Sequence, residues 1–131
     1  MKVMYLCAAL LFFSYTLCAQ SKSTWVAPPA AANMQNPVAN TPDNIAEGKK
    51  IYINTCAPCH GTKGKGDGPA AIACNPPPAD HTSKKIQSES DGSLFWKITN
   101  GHGQMISYKS ILKDDQRWKI VLFIRTLKSS K

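Results

Sequence analysis

Residues 56–60 read Cys-Ala-Pro-Cys-His, and no other feature of the 131-residue chain constrains its fold as tightly. Two thiols separated by two residues, followed at once by an imidazole, make a compact ligand set rather than a core element. The other cysteines sharpen the point. Residues 1–19 have the composition of an export signal. Lys2 supplies a basic start, Leu6 to Phe13 form an apolar run, and Ala19 precedes a cut ahead of Gln20. The run is too short to span a bilayer. Cys18 also allows a lipoprotein cut, but Leu17 occupies the place where a small residue is preferred. A free exported form is therefore expected over one tethered to the membrane through Cys18. Removal of the signal leaves Cys56, Cys59 and Cys74. Three is an odd number, which a disulfide framework explains poorly.

The pattern C-x-x-C-H is that of covalent haem c attachment. Two thiols add to the two haem vinyl groups as thioethers, and the two-residue spacer in a helical turn sets them at the vinyl separation. His60 then lies under the iron as the proximal ligand. Three other chemistries use some of the same residues. Zinc could draw on Cys56, Cys59 and two of Cys74, His60, His81 and His102, but the chain has no second C-x-x-C. A thioredoxin-like redox pair needs a βαβ setting. A Cys56–Cys59 disulfide closes a strained loop. Haem c is the reading these residues favour.

The rest of the chain suits a small helical domain. Residues 20–41 form an arm rich in Pro, Ala and Asn without helical periodicity. Trp25, Val26 and Met34 are more apolar than a tether needs, so contact with the domain is expected. The domain proper spans 42–131. Thr41, Pro42 and Asp43 start a helix in which Ile45, Gly48, Tyr52 and Thr55 share a face. Gly61 to Gly68 is a loop, and the Pro76–Pro78 run excludes helix. Ser90 and Asp91 open a segment with Leu94, Phe95, Trp96 and Ile98, ended by Gly101. Asp114 and Asp115 open the last helix, whose apolar face holds Trp118, Ile120, Val121, Phe123, Ile124 and Leu127. Arg125 and Lys128 in its final turn suit the helix dipole. No strand pattern competes.

Length excludes a doubly wound nucleotide-binding sheet or a TIM barrel. A domain this small, with two long loops, needs a staple, and a large buried prosthetic group supplies one. The sixth position of an iron would fall to Met105, in the loop between Gly101 and Ser110. The alternatives are His102, His81, an open site and, more remotely, Met34 on the arm.

At these residues the chain resembles class I, single-haem cytochromes c, and most of all the cytochrome c domain of cbb3-type oxidases. The stretches Glu47–Tyr52, the pentapeptide, Gly64–Pro69 and Trp118–Arg125 carry the likeness, which runs from Asn44 to Leu127. It implies an all-α cytochrome c fold, three to five short helices around one covalent haem c and its iron. It implies that Gly48 and Tyr52 pack against Ile120 and Phe123. It also implies that the carbonyl of Pro69 accepts the N–H of His60. Trp96 and Tyr108 are candidate pocket walls or propionate donors. Ile106 replaces the proline common after the ligand Met, and Cys74 lies outside the family pattern.

These readings together predict an exported electron carrier, not an enzyme, passing single electrons through an iron held by His60 and Met105. Cys56, Cys59, His60, Pro69 and Met105 are the expected haem-binding residues. The partners expected are periplasmic or membrane redox proteins, such as a terminal oxidase and a quinol-oxidising complex. Sixteen Lys and Arg against eight Asp and Glu give a net charge of +8, which suits docking on acidic surfaces. Lys63, Lys65, Lys84, Lys85, Lys97, Lys109 and Lys113 are candidates for that surface. Neither nucleic acid nor a small-molecule substrate is expected. The rival is a haem enzyme or gas sensor with an open or labile sixth site.

Overall fold

The computed structural model describes residues 25–129. The signal segment, its cut at Ala19–Gln20 and Cys18 lie outside them. The described residues form six helical segments and one 3-10 turn, with no strand among them. Three segments are long: α2 (Pro42–Thr55), α5 (Asp91–Asn100) and α6 (Asp114–Thr126). Three are single turns: α1 (Pro29–Ala32), α3 (Ala57–His60) and α4 (Lys84–Gln87).

The long helices start where side chains take up free backbone donors. The Thr41 hydroxyl accepts from the Asn44 amide at 3.3 Å, and the Ser90 hydroxyl accepts from Ser93 at 3.2 Å. At α6 the bond runs the other way: the Lys113 amide donates to the Gln116 side chain at 2.9 Å.

The frame is the crossing of α2 and α6. A β-carbon on Gly48 would stand 2.0 Å from the carbonyl oxygen of Lys119, so only glycine admits so close an approach. Tyr52 fills the crossing, edge-on to Phe123 at 5.0 Å. Tyr52, Ile120 and Val121 are the largest fully buried side chains. Each aliphatic side chain buried in this way contributes about 1.5–3 kcal/mol. Helix α5 closes the core through Phe95, stacked on Trp118 at 3.9 Å.

Arg125 does more than complement a dipole. It bonds Asp91 at 2.7 Å and the carbonyls of Gln87 and Glu89, tying the α4–α5 corner to α6. Gln87 adds a second tie, donating to the carbonyls of His81 and Ile124 at 2.7 and 2.8 Å.

The arm differs from its expectation in one respect: it contains α1. Four residues are too few to show a period, but Pro29 has the fixed φ that suits a first helical position. The arm lies on the domain. Ala27 and Ala31 are buried, and Gly92 of α5 leaves room for the Ala31 carbonyl, which a β-carbon would meet at 2.1 Å. Ser90 donates to the Ala32 carbonyl at 2.6 Å, and Asn36 to that of Trp118 at 3.3 Å.

Candidate functional site

Cys56 ends α2, and the next residue begins α3. Pro58 sits in the first turn of α3, where a missing amide hydrogen is harmless. That turn places the Cys56 and Cys59 thiols and the His60 ring around one apolar cavity of about 1030 Å³. The volume lies at the top of the range of roughly 300–1,000 Å³ usual for small-molecule and cofactor sites. Leu94 and Ile98 of α5, and Ile120 and Ile124 of α6, also line it. Met105 and Tyr108 line it from the loop after α5, and Trp25 to Ala27 bring the arm to it.

Burial pushes the Cys56 thiol up to about 11, against a hydrogen bond from Thr55 that acts the other way. Burial also raises Cys59, with Cys74 beside it adding to the effect. Among the described residues, no three His, Cys, Asp or Glu side chains gather as a metal-holding group. Cys56, Cys59 and Cys74 are all free.

Nδ1 of His60 lies 3.0 Å from the carbonyl oxygen of Ala79. A carbonyl only accepts, so Nδ1 carries the hydrogen and Nε2 keeps its lone pair. Burial lowers the His60 pKa, outweighing the opposing effect of the Ala79 bond, and the ring is neutral at pH 7. Ala79 thus takes the part that the resemblance assigned to Pro69. The reason is the chain path. Residues 68–70 fold back on α3 itself, with the Gly68 and Ala70 amides bonded to the carbonyls of Cys59 and Pro58. The Pro76–Pro78 run then carries Ala79 to the imidazole. Pro69 is exposed and does not line the cavity.

Sequence reasoning did not find the part taken by His81. Its ring stacks on that of His60 at 4.2 Å and 18°, and both line the cavity. Its Nδ1 meets the Tyr52 hydroxyl at 2.9 Å. Met34 does not line the cavity, and neither does Trp96. Tyr108 does, but its hydroxyl donates to the Thr55 carbonyl at 2.7 Å. Lys97 is half-buried and paired with Glu89 at 2.6 Å, so it is not a free surface cation.

These features fit a haem c: two thiols on one turn, a neutral imidazole with a free Nε2, a thioether on the same cavity and apolar walls. A family model described as cytochrome c oxidase, cbb3-type, subunit III matches residues 43–124. Among solved structures, the reducing HAO-like protein complex Kustc0457/Kustc0458 of Kuenenia stuttgartiensis is 30% identical with a TM-score of 0.63. That match covers 73% of this chain and 50% of the other, so the chain spans half the length of that relative. The c-type cytochrome KustC0563 is 24% identical, TM-score 0.53, with 63% of this chain and 98% of that one covered. Cytochrome CL of the marine methylotroph Methylophaga aminisulfidivorans MPT is 21% identical, TM-score 0.54, with 68% and 57% covered. The last two show likeness of fold.

Proposed function

The chain belongs to the family of cbb3-type cytochrome c oxidase subunit III, and from that premise we propose that it is an exported single-haem carrier with an iron held by His60 and Met105. That it is an electron-carrying cytochrome with covalent haem c and iron follows from the family. When bound, the haem supplies one-electron exchange between ferric and ferrous iron.

The protein's part is to hold and to exclude. Cys56 and Cys59 would carry the thioether bonds. Ala79 fixes the His60 ring plane and aims Nε2 into the cavity. Met105 offers a thioether on the same cavity, and His/Met ligation raises the potential relative to two histidines. Leu94, Ile98, Ile120 and Ile124 keep water away, which lowers the cost of reorganisation. The single observation that carries this reading is the convergence of Cys56, Cys59, His60 and Met105 on one cavity.

Among the described residues, no helix is long and apolar enough to cross a membrane. Export to the periplasm rests on residues 1–19. The proposed partners are redox proteins with acidic docking faces, such as a terminal oxidase and a quinol-oxidising complex. Exposed Lys63, Lys65, Lys84, Lys85, Lys109 and Lys113 supply the complementary charge.

Absorption spectra of the haem-loaded protein test the reading. The expected result is a haem that survives acid-acetone extraction, low-spin bands, and a weak far-red iron–sulfur band that Met105→Ala removes. A high-spin spectrum that responds to carbon monoxide or peroxide would replace the carrier with the haem enzyme or gas sensor.

A further inference from the structure

The loop that carries Met105 is short of internal stiffening. His102 and Met105 exchange two backbone hydrogen bonds, 2.8 Å from the His102 amide and 3.0 Å from the Met105 amide. Glycines flank His102 on both sides, and Ile106, not a proline, follows Met105. Beyond Met105 the Ser107 hydroxyl donates to the Thr99 carbonyl at 2.6 Å and the Tyr108 amide to that of Ile98 at 3.2 Å, and further support comes from two flanks. On one flank the Gln104 side chain accepts from the Asn75 amide at 2.6 Å and donates to the Ala73 carbonyl at 3.2 Å. On the other flank stands the arm. The indole of Trp25 stacks on the His102 imidazole with ring centres 5.2 Å apart and planes 22° from parallel.

The indole is itself held. The Lys97 ammonium lies 5.3 Å from its ring centre, and Glu89 fixes Lys97. Buried Ala27, two residues on, anchors the backbone behind it. A chain of contacts therefore runs from α5 through Lys97 and Trp25 to His102, and from His102 through two backbone bonds to Met105.

We propose that Trp25 is a positioning residue for Met105. By stacking on His102 it braces the turn that presents the thioether, taking over the stiffening that a proline after the ligand would give. The inference rests on the reading of Met105 as sixth ligand.

The experiment uses the full haem-loaded protein and two readouts: the rate at which free imidazole enters the ferric iron, and the hydrogen exchange of the His102 and Met105 amides. Imidazole enters only when the loop opens. Trp25→Ala is expected to speed both about two- to tenfold, the worth of one aromatic stack. Trp25→Phe restores them. Asn36→Ala, which loosens the arm at Trp118 far from the loop, leaves them unchanged. Unaltered rates in Trp25→Ala, or an equal rise in Asn36→Ala, would overturn the proposal. Should Trp25→Ala fail to load haem, Trp25→Leu keeps the bulk without the stack and carries the same expectation. A wild-type spectrum without the far-red band would refute Met105 as ligand, and the amide exchange would still decide whether Trp25 holds the loop.

Discussion

The hydroxyl of fully buried Tyr52 stands 2.9 Å from Nδ1 of half-buried His81. Burial, with His60 beside it, holds His81 down to about 3, so its ring is neutral at pH 7 and Nδ1 accepts. Burial likewise pushes the Tyr52 hydroxyl well above its usual range, so it keeps its proton and donates. Tyr52→Phe leaves the His81 acceptor without a partner. The expected loss is about 1–3 kcal/mol in urea unfolding of the haem-loaded protein. Tyr52→Phe with His81→Phe removes both polar ends and recovers part of that loss; no recovery would mean that the pair is not coupled.

The same histidine sets a pH dependence. Its folded value of about 3 lies below the ordinary 6.5. Between those values the unfolded chain binds the extra proton and the folded protein does not, so stability falls as the pH drops. The contribution is complete above pH 6.5 and is lost from there down towards 3, at no more than about 1.4 kcal/mol per pH unit. Unfolding free energies measured across this window should flatten in His81→Phe. An unchanged slope would place the acid sensitivity elsewhere.

At the helix crossing, Gly48→Ala puts a methyl group 2.0 Å from the Lys119 carbonyl oxygen. Backbone atoms cannot yield as a flexible side chain can, so α2 must move off α6. The expected destabilisation is about 3 kcal/mol or more. A thermal melt within a degree or two of wild type would show that the crossing is looser than its geometry.

On the proposed attachment through Cys56 and Cys59, Cys74 is the cysteine of residues 20–131 left unused. Unfolded haem-loaded protein, treated with iodoacetamide and weighed by mass spectrometry, should gain one label among residues 20–131, on Cys74. Two or three labels would mean that Cys59 or Cys56 carries no thioether.

Much of the frame was legible in the sequence because its signals are local. Thr41 and Ser90 cap the helices they precede, and the apolar period of Trp118 to Ile124 matches the buried face of α6. The pentapeptide announces its chemistry within five residues. What escaped depends on where distant segments meet. That Ala79, and not Pro69, reaches His60 follows from the path of the Pro76–Pro78 run, which no spacing reveals. The stack of His81 on His60, the pairing of Lys97 with Glu89 and the grip of Arg125 on the α4–α5 corner are likewise products of the folded path. The single turn α1 has no period to detect.

The stack between Trp25 and His102 joins the beginning of the described chain to a loop near its end. Chains are made from the N-terminus, so the indole emerges long before the imidazole it will cover, and it waits while the thiols, the crossing helices and the ligand loop follow. A contact this far apart along the chain costs the entropy of closing a long loop. Trp25 and His102 both line the cavity with Cys56 and Cys59, so one of its walls exists only when the two ends of the described chain are brought together.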